Sequence, residues 1–127
     1  MASKTIRLDS IPQNWFMSWT IITQAANNIC VTLSDSATVY VNNVCQQSTS
    51  PSPPLSTGFQ QVLGTGLSIE ITIDASPEIK TSLSPYMVNK PGSNDTLAYG
   101  YNLLLEDSGD DDYNDLYLSI IAWSSKD

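Results

Sequence analysis

The sequence predicts an all-β fold, a small antiparallel sandwich or barrel. Apolar runs recur along the chain with a period of two or as short continuous blocks. The runs are rich in β-branched and aromatic side chains, and no segment sustains the 3.6-residue period of an amphipathic helix. At 127 residues and 41% hydrophobic content the chain suits one unit, expected to span 1–127, with a sizeable core.

In chain order, Trp15-Phe16-Met17-Ser18-Trp19 is apolar enough for core or for a subunit interface. The first strong strand signal is Ile29-Cys30-Val31-Thr32-Leu33, closed by the turn residues Ser34-Asp35-Ser36. Ala37-Thr38-Val39-Tyr40-Val41 follows. Gln46 to Pro54 holds three prolines and reads as an extended, solvated loop. After Gly64-Thr65-Gly66, the run Leu67 to Ile73 alternates cleanly, with Glu70 expected on the solvent side. The turn residues Lys90 to Asp95 precede a strand from Leu97 to Leu105, and the last strand runs from Leu116 to Trp123. No internal repeat is visible.

Composition excludes several function classes. The formal charge is −8, and the only basic residues are Lys4, Arg7, Lys80, Lys90 and Lys126, too few to neutralise a phosphate backbone or an anionic membrane. Histidine is absent, which removes the commonest general base, the usual zinc ligand and every Ser-His or Cys-His nucleophile pair. Glu70, Glu78 and Glu106 are the available glutamates for a glycosidase pair, and nothing in the sequence brings two of them together, so no enzyme activity is expected. The N-terminus holds no apolar h-region, and no run approaches the ~18 apolar residues of a membrane span. The chain therefore reads as cytoplasmic or released by a non-classical route. Cys30 and Cys45 form either one disulfide or two buried thiols.

The most informative segment is Glu106-Asp107-Ser108-Gly109-Asp110-Asp111-Asp112-Tyr113-Asn114-Asp115, which packs six of thirteen carboxylates into ten residues. Like charges this close repel or protonate unless a hard divalent cation sits among their oxygens, and Ca2+ takes six to eight oxygen ligands. Asp110, Asp112 and Asn114 alternate, so an extended backbone points them the same way. A helix–loop–helix calcium loop starting at Asp110 fails, because its sixth position is Asp115 instead of glycine and its twelfth is Ile121 instead of glutamate. The cluster also lies between two core-strand signals, unlike a solvated acidic tail.

Glu106 to Asp115, followed by an apolar strand ending in Trp123, resembles the signature of the bacterial calcium-dependent fucose- and mannose-binding lectin II family. The likeness is strong over about eighteen C-terminal residues. Gln24-Ala25-Ala26-Asn27 is similar to that family's metal-ligating asparagine and the three-residue specificity loop after it. The resemblance implies a small antiparallel β-sandwich of Greek-key or jelly-roll type holding two adjacent Ca2+ ions, with sugar hydroxyls completing the coordination. Glu106 and Asp110 would then bind one ion, Asn114 the other, and Asp112 and Asp115 both, with Gln24 at the asparagine position. Ala25, Ala26 and Asn27 would face the sugar, together with the oxygens of Glu106, Asp107, Asp110, Asp112 and Asp115. An Ala-Ala-Asn loop is similar to that of mannose-preferring members. Asp127 is the candidate for a terminal ligand reaching across a two-fold dimer, so a homodimer or higher oligomer is implied.

The chemistry suits the ligand, because neutral hydrogen bonds to a monosaccharide gain little over water, whereas cations and carboxylates bind its hydroxyls by coordination and charge-assisted bonds. The expected partners are mannose- or fucose-containing glycans. The competing reading is a calcium-stabilised structural or adhesion module without sugar binding.

Overall fold

The structure is a computed structural model in which residues 1–74, 76–107 and 111–125 are described. Among these it contains strands β1 (Ala2–Arg7), β2 (Phe16–Thr23), β3 (Ala25–Ser34), β4 (Val39–Ser48), β5 (Ser56–Gln61), β6 (Ser68–Ile73), β7 (Lys80–Asn89), β8 (Thr96–Glu106) and β9 (Leu116–Trp123). They form a four-stranded sheet, β1-β6-β3-β4, and a five-stranded sheet, β5-β2-β9-β8-β7, with every pairing antiparallel. The all-β sandwich expected from the sequence is the observed architecture. Among the described residues, no helix is long and apolar enough to cross a membrane.

Strand alternation builds the core. In β2, Met17, Trp19, Ile21 and Thr23 are buried, and in β9 Leu116, Leu118, Ile120 and Ala122 are buried. The four-stranded sheet answers with Ile29, Val31 and Leu33 of β3 and Ile69, Ile71 and Ile73 of β6, all fully buried. Each such side chain stabilises the fold by roughly 1.5–3 kcal/mol relative to exposure. Glu70 is exposed, as its place in the alternation requires.

The strands at Leu67, Leu97 and Leu116 form near the expected bounds, whereas the one at Ile29 begins four residues earlier, at Ala25. β4 starts at Val39 and runs on to Ser48, so Gln46, Gln47 and Ser48 belong to a strand and not to the proline-rich loop. They extend because they pair with β3 across from Ile29 and Ala25. β1, β5 and β7 had no sequence signal: each is an edge strand with one ladder partner and few apolar residues. Pro85 sits within edge strand β7, opposite Tyr101.

Cys30 and Cys45 form a disulfide between directly opposed residues of β3 and β4, with Cα atoms 4.0 Å apart. The register slips on both sides of it, at Asn43, whose φ is 49°, and at Ala26 to Asn28.

The outer face of the five-stranded sheet is uncharged except at the end nearest the acidic loop, where Lys80 lies opposite Glu106. Phe16 stacks on Phe59 at 6.1 Å, and Phe59 meets Trp123 at 5.7 Å. Ile121 lies on the same face, and Val88 and Leu104 are exposed there. β2, β5 and β9 contain no charged residue, and β7 and β8 contain one each, Lys80 and Glu106, at the end nearest the acidic loop.

Candidate functional site

The acidic segment joins β8 and β9, neighbouring strands of the five-stranded sheet. The pairing of Leu105 with Leu116 and the bond from Asp115 N to Leu105 O (3.0 Å) close the hairpin base. Gln24, between β2 and β3, reaches the same place: its amide donates to Asp115 O at 2.8 Å and its side-chain Nε2 to Asn114 O at 3.2 Å. The proposed asparagine position thus touches the acidic loop through donors, and Gln24 Oε1 is the side-chain oxygen it can offer a cation.

Within the loop, Glu106, Asp112 and Asp115 each bring a carboxylate oxygen within 4.8 Å of the others. Glu106 is 1% exposed, Asp115 half-buried and Asp112 exposed, so the cluster runs from the interior to the surface. Main-chain amides fix two of them: Tyr113 N donates to Glu106 Oε1 at 3.1 Å, and Asp107 N to Asp115 Oδ2 at 2.9 Å. Asp111 and Tyr113 adopt positive φ of 58° and 52°, turning the backbone so that its amides can point inward. Burial pushes the Asp115 carboxyl above its ordinary value; the Asp107 amide opposes this and the Asp107 charge adds to it. This all-oxygen anionic cluster fits a hard divalent cation. Asn114 is exposed beside it. Asp110 and Asp127, both expected ligands, lie outside the described residues.

The bulged start of β3 reaches the same cluster. Asn27 Nδ2 donates to Asp107 Oδ2 at 3.2 Å, which brings one expected sugar-facing residue onto another. Ala26 is exposed. Ala25 is 3% exposed and part of the core, and it still pairs with Ser48 in the ladder before the chain bulges at Ala26. Ala26 and Asn27 therefore remain as the open residues of that stretch.

Sequence reading missed the supports. Ser76, 3% exposed, donates its hydroxyl to the Asp107 carbonyl, and its Oγ also lies 2.7 Å from Glu78 O. Gln47 Nε2 donates to Ala26 O at 2.7 Å, and Lys80 Nζ pairs with Asp111 Oδ1 at 3.2 Å. None has a motif; the only signal was their polarity next to core strands. At the other end of the sandwich, the turn residue Asp35 receives Tyr40 Oη, Ala37 N (2.8 Å), Thr38 N (3.1 Å) and Gly64 N (3.0 Å). Burial works to raise the Asp35 carboxyl, but these hydrogen bonds outweigh it and hold it low.

No protein-family model matches the chain, and no curated protein matches it. Three bacterial lectins of known structure share its fold. The Chromobacterium violaceum lectin CV2L, solved with alpha-methyl-fucoside, is 18% identical, with 94% of each chain covered and a TM-score of 0.62. The C-terminal domain of the BC2L-C lectin from Burkholderia cenocepacia is 18% identical over 94% of this chain and 93% of that one, with a TM-score of 0.63. The Ralstonia solanacearum high-affinity mannose-binding lectin is 19% identical over 92% and 93%, with a TM-score of 0.63. The likeness read from the acidic hairpin thus extends to the architecture of nearly the whole chain.

Proposed function

We propose that this chain is a calcium-dependent lectin, and not an enzyme, that binds mannose- or fucose-type saccharides at the β8–β9 hairpin. The observation that carries this reading is the convergence of Glu106, Asp112 and Asp115 in one cluster of a sandwich shared with sugar-binding lectins. Glu106, Asp112 and Asp115, with Asp110 and Asn114, would hold two Ca2+ ions, and Gln24 Oε1 and Asp127 are further candidate donors. When bound, the ions supply coordination positions for vicinal sugar hydroxyls. The chain's own residues do the rest. Carboxylate oxygens of the cluster accept hydroxyl protons, the amides of Asp107 and Tyr113 keep those oxygens in place, and Ala26 and Asn27 shape the rim that distinguishes one sugar from another.

A homodimer belongs to the same proposal. The uncharged outer face spans about five strands by eight residues, roughly 600 Å2, so two apposed copies bury about 1,200 Å2, within the standard range of specific interfaces. A chain of net charge −8 can meet its own copy there without opposing like charges. Two sites per particle raise avidity for a glycan surface.

Isothermal calorimetry with methyl α-mannoside and methyl α-fucoside tests the reading. Binding heat in saturating calcium that disappears with chelator is the expected result. If calcium raises the melting temperature while millimolar saccharide gives neither heat nor further stabilisation, the site is a structural staple and the proposal fails. Nitrophenyl glycosides should remain unhydrolysed.

A further inference from the structure

β4 is an edge strand, and β3 is its only ladder partner. The register between them is broken three times, once between Leu33–Val41 and Ser34–Val39 and once on each side of the disulfide. It slips between Val31–Val44 and Leu33–Val41, at Asn43, and again between Ala25–Ser48 and Ile29–Gln46, where Ala26, Asn27 and Asn28 bulge opposite Gln47. The ladder between these last two irregularities consists of Ile29–Gln46, Cys30–Cys45 and Val31–Val44, with the disulfide at its centre. So short an isolated ladder on an edge strand has little stability of its own.

That ladder supports the bulge that reaches the candidate sugar site. Gln47 Nε2 holds the Ala26 carbonyl at 2.7 Å, and Gln46 Oε1 accepts from Thr23 Oγ1 at 2.7 Å, tying β4 to the end of β2. On the far side, Asn27 Nδ2 bonds Asp107 Oδ2 at 3.2 Å. The bulge is thus stretched between Gln47 and Asp107, and Gln47 stands two residues from the disulfide. Buried Ile29 and Val31 flank Cys30, so alternation turns both sulfurs to the solvent face of the sheet, and Cys45 is exposed.

We propose that the Cys30–Cys45 disulfide and Gln47 form a latch that fixes the Ala26–Asn28 bulge in its ligand-facing shape, so that reduction weakens saccharide binding while leaving the metal cluster intact. The metal candidates Glu106, Asp112 and Asp115 lie in the β8–β9 hairpin of the other sheet, where the amides of Tyr113 and Asp107 hold Glu106 and Asp115. Opening the latch needs a thiol reductant. A dithiol gives two electrons and two protons and closes to its cyclic disulfide; the Cys30–Cys45 S–S bond breaks, and each sulfur takes one electron and one proton to become a thiol. Cys30 and Cys45 are positioning residues: they touch neither metal nor sugar.

The inference rests on the lectin reading, so its test has two arms. In the first, the full chain is titrated with methyl α-mannoside and, separately, with Ca2+, before and after dithiothreitol, and after reoxidation; Gln47→Ala and Cys30→Ala/Cys45→Ala run in parallel. If the released bulge holds its competent shape about a fifth of the time, saccharide affinity falls about fivefold, returns on reoxidation, and calcium affinity stays within about twofold. In the second, amide hydrogen exchange of residues 26–28 is followed without sugar, and reduction is expected to speed it about fivefold relative to residues 117–121. Unchanged exchange at 26–28 overturns the latch even if the protein binds no sugar, an outcome that would separately sink the lectin reading. Equal loss of calcium and saccharide affinity, or acceleration across both sheets, also overturns it, since the bridge would then serve the fold at large.

Discussion

Replacing Asp115 by asparagine should make the metal-free protein more stable and at the same time remove its response to calcium. Glu106, Asp112 and Asp115 bring carboxylate oxygens within 4.8 Å of one another, with Glu106 buried beneath. At that separation two unit charges repel by about 3.5 kcal/mol at an effective dielectric constant of ~20, and solvent at the half-open rim screens this to roughly 1–2 kcal/mol. Asparagine keeps the shape and leaves an acceptor oxygen for the Asp107 amide, which lies 2.9 Å from Asp115 Oδ2, so charge alone is altered. For 127 residues each kcal/mol moves Tm by about 3–4 °C, and metal-free Asp115→Asn is expected to melt about 4–8 °C above the parent. Calcium at a hundred times Kd adds about 2.7 kcal/mol per site to the parent, roughly 10 °C, and the variant should lose that increment. Scanning calorimetry in chelator and in millimolar calcium reads both numbers. A variant that keeps the calcium increment would show that Asp115 is not a ligand, and one that melts lower in chelator would show that the cluster is not under electrostatic repulsion.

Three further outcomes can be checked. Ile121→Glu places a charge at the centre of the uncharged sheet face, so sedimentation analysis should find monomers with unaltered saccharide affinity per site; a persisting dimer would move the interface elsewhere. Gly58→Ala puts a Cβ 2.2 Å from Cζ2 of Trp19, whose ring is buried and whose Nε1 donates to Ser56 Oγ at 3.1 Å; overpacking of about 1–3 kcal/mol should lower Tm by about 4–10 °C without changing calcium affinity. Burial, then its bond to Asp35, pushes the Tyr40 hydroxyl up to about 12. The unfolded chain ionises first, near 10, so stability should decline as pH rises from about 10 to 12, and Tyr40→Phe should flatten that decline in denaturant midpoints.

The strands most legible in the sequence are β6 and β9, buried on both ladder edges, although the edge strand β4 also carries a signal at its start and the central β2 reads only as an apolar stretch. β6 and β9 alternate or run apolar because each lies between two strands and against the opposite sheet, and their bounds came out within a residue or so of Leu67–Ile73 and Leu116–Trp123. β1, β5 and β7 form because a neighbour offers hydrogen bonds, a tertiary cause that Ser56-Thr57-Gly58-Phe59-Gln60-Gln61 does not advertise locally. The site divides the same way. Glu106, Asp112 and Asp115 are close in sequence and converge, whereas the contacts of Ser76 with Asp107 and of Gln47 with Ala26 join segments about twenty to thirty residues apart, at positions with no compositional mark. The burial of Ala25 has no local mark either: it is set by ladder pairing with Ser48, one residue before the bulge begins.

Pro85 has a consequence for how such a molecule behaves in a crowded solution. β7 is long, borders solvent along one side, and displays Leu83, Met87 and Val88, the makings of a template for runaway fibre growth. An incoming foreign segment meets a ring nitrogen with no hydrogen to give halfway along that border, so sheet extension stalls there. The apolar side chains of β7 are thus displayed on a border that a second chain cannot extend along its full length.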